Sequence, residues 1–390
     1  MSVPANLFRR AAAILLFAAF MAAILATARV EGLASGSPKQ RSDAALQRAV
    51  TADMSAKELR AFARKIALAD PMQAAGFFLQ VMALDLEDAP SFDSRRVLIA
   101  EASQRQPSFA APRIWLTADD IRNERYATAI DGADTVMRLN GEFRDLLVPI
   151  LTPLMDNDKA YPLLEEKLKS FPNWRTVFLS DAIKTGVNER RVESLLRHSP
   201  PPVYAAAMAA ERSAYLQNLV TRGETARART LWQSFTPENA NAAIVDGDFR
   251  AKHSVYPFAW QYASDDYSYA EKVVDADGKG AVVRAHHNGD GKITLMTQLV
   301  ALKPGANLLS FEMRDGGLAK PEAMFWRVRC MDGANALNSQ SLAKLGGDWQ
   351  KTQMQIGVPA SNCALHYLVL EAEDNDGDEA EVEIRKIEAR

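Results

Sequence analysis

The sequence is poor in the residues from which most catalytic and metal centres are built. Its 390 residues include only two cysteines and five histidines. It contains no Gly-x-Ser-x-Gly nucleophile elbow, no His-Glu-x-x-His zinc motif, no phosphate-binding Walker loop and no Cys-x-x-Cys pair. We therefore predict no catalytic residue, no metal site and no cofactor. Paired carboxylates for glycoside hydrolysis stay open as an alternative, because they need not be neighbours in sequence.

The chain also lacks an excess of basic charge. Lysine and arginine number 46 against 49 aspartates and glutamates, for a net charge of −3 at pH 7. A nucleic-acid partner would require a basic stripe that neutralises phosphates, and none is visible. The composition, 48% hydrophobic and 24% charged, is that of a globular protein with enough length for two or three cores.

One long apolar run lies near the N-terminus. Residues 11–28 carry no charge, and Arg9 and Arg10 precede them. As a helix this run is about 27 Å long, which is enough to span a bilayer. Basic residues on the short side favour a cytoplasmic N-terminus. We expect an inner-membrane, single-pass anchor with the bulk of the chain in the periplasm. The alternative is a cleaved signal peptide, because Ala26-Thr27-Ala28 has small residues at the two positions that signal peptidase recognises. A signal peptide would also place the remainder of the chain outside the cytoplasm.

The middle of the chain has helical periodicity. Residues 1–30 form the anchor or signal segment, 31–43 read as a polar linker, and 44–236 carry apolar residues at helical spacing between short turns. Two stretches, Ala111–Ile130 and Gly223–Trp232, resemble tetratricopeptide units, whose helical pairs repeat about every 34 residues. The resemblance implies a curved helical array that binds other proteins, here proteins of the cell envelope. An irregular helical domain without true repeats is the alternative.

From residue 240 the helical period gives way to alternation of apolar and polar residues. Turn signals such as Asn288-Gly289 and Pro304-Gly305 separate the alternating segments. The clearest of these segments are Leu308–Arg314, Met324–Cys330, Gln353–Val358 and His366–Ala372. Residues 240–390 are therefore predicted to be an antiparallel β-sandwich, and the whole chain a multidomain α + β protein.

A second resemblance covers this C-terminal region. The segments that carry it are Val245–Phe249, Pro257–Tyr262, Gln298–Gly305 and Trp349 ahead of Val358-Pro359. Together they are similar to the jelly-roll carbohydrate-binding modules, also called galactose-binding-like domains. The resemblance implies a jelly roll and polysaccharide as a partner. Such modules often hold a structural calcium through an acidic residue after the first-strand phenylalanine. Arg250 stands at that position here, so no metal is expected.

Aromatic and planar polar side chains are what a glycan site requires, because they meet the apolar face of a sugar ring and its hydroxyls. The candidates for glycan contact are Trp260, Tyr262, Tyr267, Tyr269, His286 and His287. Core packing is the alternative reading of Trp260. No third ligand lies at a recognised spacing from the two histidines, so they are not predicted to form a metal site.

The two cysteines, Cys330 and Cys363, each adjoin a strand-like segment. In an exported protein we expect them to form a disulfide, and two separate buried thiols are the alternative.

These features predict a non-catalytic, membrane-anchored envelope protein. Its helical array would act as a scaffold and its sandwich would contact glycan, as an accessory of exopolysaccharide synthesis or export. The alternatives are a purely structural protein–protein scaffold and, third, a polysaccharide hydrolase.

Overall fold

The computed structural model describes the chain from residue 37 to residue 390 with short gaps. The described ranges are 37–87, 92–237, 242–252, 254–275, 280–317, 321, 323–331, 333, 336–343, 345–360 and 363–390. The apolar run 11–28, and with it the predicted anchor, lies outside these ranges. Across the part of the chain that is described, no helix has the length and apolar character needed to cross a bilayer.

The N-terminal part of the described chain is helical. Its twelve α-helices are α1 (Pro38–Thr51), α2 (Ala56–Ala69), α3 (Ala74–Leu86), α4 (Phe92–Arg105), α5 (Ala110–Arg122), α6 (Tyr126–Leu139), α7 (Arg144–Leu151), α8 (Tyr161–Lys169), α9 (Arg175–Thr185), α10 (Glu189–Arg197), α11 (Ala205–Thr221) and α12 (Thr225–Phe235). Because α1 begins at Pro38, the end of the expected linker is helical. The Ser37 side chain caps that helix, and proline is well tolerated in a first helical turn.

The first helices of the helical part are regularly spaced, and local sequence features determine where α2 begins and how closely α3 packs against it. At the start of α2, Ser55 and Glu58 form a capping box in which each side chain accepts a hydrogen bond from the other's backbone N–H. Gly76 of α3 then lies so close to α2 that a Cβ atom there would sit 3.3 Å from the Ala63 carbonyl oxygen. Helices α1, α3 and α5 begin at residues 38, 74 and 110, which are 36 residues apart.

The segments that resemble tetratricopeptide units do lie on packed helices. Tyr126 and Ala129, which follow the turn between α5 and α6, are buried. A Cβ on Gly132 would meet the Thr117 hydroxyl at 2.9 Å, which shows how closely these two helices approach. The helical array is therefore observed, while its identity as tetratricopeptide repeats stays a prediction.

Contacts divide the chain into two compact units at Leu195/Leu196. The second unit contains α11 and α12 as well as the strands. Within it Trp232 of α12 packs on Phe258, with ring centroids 5.3 Å apart, and the Tyr256 N–H donates to the Ser213 hydroxyl of α11. The last two helices thus pack against the start of the β region.

The β region is a two-sheet antiparallel sandwich, as predicted. Its strands are β1 (Gln261–Tyr262), β2 (Tyr269–Val274), β3 (Ala281–His287), β4 (Ile293–Val300), β5 (Gly305–Asp315), β6 (Met324–Cys330), β7 (Ala336–Ser341), β8 (Gln350–Val358), β9 (His366–Ala372) and β10 (Ala380–Ala389). Sheet one has the order β1-β4-β9-β6-β7, and sheet two has the order β2-β3-β10-β5-β8.

The core lies between the two sheets and is built from alternate residues of each strand. Trp326 of β6 is fully buried, stacks on Phe311 of β5 at 4.8 Å and approaches Trp260 at 6.2 Å. Aliphatic side chains from both sheets, among them Leu368 and Val382, complete this layer. Such an interlocked layer fixes which face of each sheet points outward.

The resemblance to the carbohydrate-binding modules implies that Val245–Phe249 is the first strand of the sandwich, but the structure has no strand there. Val245–Phe249 forms turns and bends. The buried Gln298 side chain takes the place of a neighbouring strand, since its amide donates to the Val245 carbonyl at 2.8 Å and accepts from the Val245 N–H at 3.2 Å. Gly247 passes so close to β10 that a Cβ would lie 2.1 Å from the Ile387 carbonyl oxygen. The segment therefore packs on the sandwich without regular pairing.

The predicted disulfide is confirmed. Cys330 ends β6 and Cys363 precedes β9, and the two strands are antiparallel neighbours. The bond joins residues 33 apart in sequence across a Cα–Cα distance of 5.2 Å.

Candidate functional site

The outer face of sheet one carries polar and aromatic side chains, and β9 contributes three residues to it. Successive side chains of a strand point to opposite faces. Since Leu368 and Leu370 lie in the core, Tyr367, Val369 and Glu371 lie on the outer face. Strand β9 is the middle strand of the sheet, so these three residues mark the centre of this face.

The neighbouring strand β6 places two arginines beside them. Trp326 points into the core, so Arg327 and Arg329 share the outer face. The register pairs Arg329 with Tyr367 and Arg327 with Val369. Strong cations and an aromatic ring therefore lie side by side at the middle of sheet one.

An open cavity of about 320 Å³ lies over this face. Strands β1, β4, β6 and β9, with the residue that follows β1, provide its lining of Gln261, Tyr262, Ala263, Thr294, Thr297, Arg329, Tyr367 and Val369. A bulge in β4 between Thr294 and Met296 changes the register next to the cavity, so that both Thr294 and Thr297 line it. The lining combines two threonine hydroxyls, an amide, a guanidinium and two tyrosine rings.

A second cavity of about 230 Å³ continues the first toward α11. The two share Gln261, Thr297 and Tyr367, and the second adds Gln217 and Thr221 of α11. We call the two cavities together the sheet-one groove. The groove is thus bounded by helix at one end and runs across β1, β4 and β9 toward β6.

A buried carboxylate orders the arginines of this face. The Glu371 side chain is only 3% exposed and accepts from Arg327 Nη1 at 2.5 Å. Arg329 Nη1 lies 3.3 Å from it and Lys292 Nζ lies 3.4 Å from it. Arg327 also pairs with Glu373. Three cations therefore surround two carboxylates.

The charge of Glu371 is fixed by these neighbours. Burial pushes its pKa upward, but the hydrogen bond from Arg327 and the charges of Lys292 and Arg329 outweigh burial and hold the pKa below the ordinary value. A general acid for glycoside cleavage needs a raised pKa. Glu371 is therefore an ionised anion and does not have the raised pKa of a general acid.

The six residues expected to contact glycan do not form one site. Tyr262 lines the sheet-one groove. Burial, together with the nearby charge of Asp246, raises the pKa of its phenol, whose hydroxyl is enclosed. Trp260 and His287 are both 0% exposed and cannot offer a ring face to a ligand. For Trp260 the core alternative is correct, because this indole packs against Phe249 and Trp326 in the core between the sheets.

The other three candidates belong to the side of sheet two. Tyr267 is 70% exposed just before β2. Tyr269 of β2 packs against His286 of β3 with the two rings tilted and their centroids 5.3 Å apart. His286 and His287 point to opposite faces of the same strand. The buried His287 Nδ1 lies 3.2 Å from the Ser268 hydroxyl and its Nε2 lies 3.1 Å from the Glu373 carbonyl oxygen.

Sequence reasoning missed Tyr367, Arg329 and the two threonines of the groove. The sequence does contain a signal for Tyr367 and Arg329, because the alternation in His366–Ala372 and Met324–Cys330 separates a largely apolar face from a mixed one. Choosing the mixed face as the site required the register of β6 on β9, which only the structure supplies.

Among the described residues, Cys330, Cys363 and His366 bring three potential metal-ligand atoms within 4.8 Å of one another. The two sulfurs are joined in the disulfide, so neither is a thiolate that could bind a metal. Within this cluster His366 is therefore the one remaining metal ligand. The cluster in this state is structural.

No protein-family model matches the chain, and no curated protein matches it. Solved structures do. One described as "CBM4 structure and function" is 15% identical and covers 38% of this chain and 99% of its own, with a TM-score of 0.29. One described as "Family 16 Carbohydrate Binding Module-2" is 21% identical over 38% of this chain and 99% of its own, with a TM-score of 0.27.

A cyclase from Fischerella sp. TAU is also similar. It is 12% identical over 38% of this chain and 96% of its own, with a TM-score of 0.28. The carbohydrate-binding modules fit the C-terminal sandwich. A fold does not by itself assign a function, so we derive one from the groove.

Proposed function

We propose that the C-terminal sandwich binds a glycan in the sheet-one groove and that the protein acts without catalysis. The observation that carries this proposal is the cavity of about 320 Å³ in which Tyr367 lies beside Gln261, Thr294 and Thr297. An aromatic ring covers the apolar face of a pyranose, and amide and hydroxyl groups bond its hydroxyls.

The dimensions agree with this use. Small-molecule sites occupy about 300–1,000 Å³, so the first cavity is at the lower end of that range. Its continuation toward α11 provides a further volume of about 230 Å³ that shares Thr297 and Tyr367. A glycan of several residues would therefore lie across the strands, with one end against Gln217 and Thr221.

Glycan binding is tested with the full-length protein, by its retention in native gels that contain polysaccharide from a panel. We expect at least one polysaccharide to retard the wild type and Tyr367→Ala to abolish the retardation. Tyr267→Ala is the matched control, because Tyr267 is an exposed tyrosine outside the groove lining. Urea unfolding of each variant confirms that the fold is intact.

Two results would contradict the proposed site. If no polysaccharide in a broad panel retards the wild type, the sandwich is not a glycan-binding module. If binding survives Tyr367→Ala but is lost in the double variant Tyr267→Ala/Tyr269→Ala, the glycan lies on the sheet-two side instead.

We further propose that the helical unit docks onto envelope proteins, so that the whole chain serves exopolysaccharide synthesis or export. Exposed apolar side chains support this: Leu68 at the end of α2 is 75% exposed and Met72 in the following turn is 65% exposed. Crosslinking in cells should recover envelope proteins with the wild type and less of them with Leu68→Ser/Met72→Ser. Recovery of the protein alone would leave the helical unit without this role.

The anchor is part of the same proposal. Residues 11–28 would hold the protein in the inner membrane, with the remainder in the periplasm. Membrane fractionation with N-terminal sequencing of the mature protein tests this. Retention of Arg9 and Arg10 in the membrane-bound form supports the anchor, and a new N-terminus after Ala28 shows a cleaved signal instead.

A further inference from the structure

The charge of the sheet-one groove narrows the class of glycan, provided that the groove binds glycan as proposed above. Of the described residues that line the first cavity, Arg329 alone is charged at neutral pH. Its side chain is 38% exposed, whereas that of the neighbouring Arg327 is 18% exposed and that of Glu371 is 3% exposed. A ligand in the cavity therefore meets a guanidinium and no free carboxylate of the lining.

Arg329 shares its protein partner, Glu371, with two other cations. Its contact with Glu371 is long, at 3.3 Å, and Glu371 accepts a shorter bond of 2.5 Å from Arg327. Lys292 contributes a third cation at 3.4 Å, and Glu373 is paired with Arg327. With three cations to two carboxylates, one positive charge remains, and Arg329 is the cation that lines the cavity.

The guanidinium is also placed for a particular anion. It carries five N–H donors in a planar fork that matches a carboxylate with two parallel hydrogen bonds. Arg329 is paired in register with Tyr367, so a sugar ring lying on the tyrosine would bring a ring carboxylate toward the arginine. Thr294 and Thr297 belong to β4, which adjoins β9 on the side away from β6, and they also line the cavity.

We propose that the sheet-one groove binds an acidic glycan, a polymer that contains uronic acid residues, and that Arg329 binds the uronate carboxylate. This assignment goes beyond glycan binding, because a neutral polymer of the same linkage would offer no carboxylate to the guanidinium of Arg329.

The test compares matched polymers on the full-length protein. The probes are polygalacturonate, alginate and hyaluronate, together with polygalacturonate whose carboxyl groups have been reduced to alcohols. Because a hydrogen-bonded charged pair strengthens binding substantially, we expect the acidic polymer to bind about tenfold or more tightly than its reduced form. A rising salt concentration should weaken the binding of the acidic polymer but not that of the reduced polymer, since screening acts on the charge.

Two variants attribute the effect to Arg329. Arg329→Gln should lower the affinity for the acidic polymer about tenfold and leave that for the reduced polymer unchanged, while Arg329→Lys should restore part of it. Arg250→Gln is the control, because Arg250 is an exposed arginine that does not line the groove and its loss removes the same net charge.

The outcomes separate this inference from the proposed function. Equal binding of the reduced and acidic polymers, or retention of neutral polysaccharides only, overturns the acidic assignment and leaves glycan binding intact. Equal losses in Arg329→Gln and Arg250→Gln overturn it as well, because they show non-specific attraction. Equal binding of dextran sulfate shows that any anion suffices and also overturns the uronate assignment. Failure to bind any glycan removes both proposals.

Discussion

Replacing Glu371 by glutamine should destabilise the sandwich, because this carboxylate holds the cations of sheet one together. Glu371 lies on the central strand β9, and its side chain is 3% exposed. Glutamine has nearly the same shape, so the change removes the charge with little effect on packing. Arg327, Arg329 and Lys292 would then be left with Glu373 as their one remaining carboxylate among the described ion pairs.

The magnitude follows from the exposure of the partners. Removing one member of a fully buried ion pair costs about 3–5 kcal/mol. Here the carboxylate is buried, but the side chains of Arg327, Arg329 and Lys292 are 18%, 38% and 60% exposed. Water therefore compensates part of the loss, and we expect a decrease of about 2 kcal/mol in the free energy of unfolding.

Native-state hydrogen exchange of the β9 amides is the suitable assay, because it reports on the sandwich separately from the helical unit. A loss of about 2 kcal/mol accelerates exchange through global opening about 30-fold. The folded-state pKa of Glu371 lies below its ordinary value of 4.5. Its stabilising effect is therefore complete above that value and is lost as the pH falls through the lowered pKa.

The difference between wild type and Glu371→Gln should thus be full at pH 7 and decrease as the pH falls below 4.5. Urea unfolding of the sandwich gives this low-pH comparison, since hydrogen exchange becomes slow there. The reasoning is refuted if the variant exchanges within about threefold of the wild type at pH 7. It is also refuted if the difference grows as the pH falls.

Three further predictions concern stability. Burial lowers the pKa of His287 below its ordinary 6.5, so the histidine binds a proton more tightly in the unfolded chain than in the folded one. The wild type should therefore lose more stability between pH 7.5 and pH 5.5 than His287→Gln. Equal losses in urea titrations would contradict this. Cys330→Ser/Cys363→Ser should lower the free energy of unfolding by about 2–4 kcal/mol, and a urea midpoint that is insensitive to reductant would show otherwise. Trp326→Ala should cost about 3–5 kcal/mol, and a loss below about 1 kcal/mol would place the indole outside the core.

The architecture of the sandwich could be predicted because alternation is a local property. Met324–Cys330 and His366–Ala372, both predicted from alternation, are strands β6 and β9 with unchanged bounds. The disulfide followed from the position of Cys330 and Cys363 beside those strands in an exported chain. Val245–Phe249 was predicted wrongly, because the side chain that replaces its pairing, Gln298, lies about fifty residues away in sequence.

The candidate site was harder to predict, because it depends on which face of a sheet remains uncovered. In the sequence, an aromatic residue such as Trp260 is equally compatible with the core and with a sugar-binding site. Only its burial in the structure distinguishes the two roles. Arg327 and Glu371 are 44 residues apart and meet only through the register of β6 on β9. Without that register, the mixed face of β9 has no partner and Tyr367 has no neighbouring guanidinium.

The outer faces of the two sheets differ in what they leave free for a ligand. Sheet two also carries arginines, but the guanidinium groups of Arg314 and Arg385 lie over the Trp349 ring, at 4.7 Å and 4.5 Å from its centroid. Glu383 of β10 in turn pairs with Arg314 and Arg284. The stacking capacity of this indole and the charge of these arginines are thus used within the protein.

On the outer face of sheet one, only some of the arginines and aromatic rings are engaged within the protein. Arg327 lies over the Phe325 ring at 4.8 Å and pairs with Glu371, so it too is used within the fold. The ring of Tyr367 and the guanidinium of Arg329 lie in the open cavity instead. A carboxylated sugar requires both a ring to lie on and a cation to pair with. In the sheet-one cavity Tyr367 and Arg329 lie side by side in register, and for this reason we place the proposed function there.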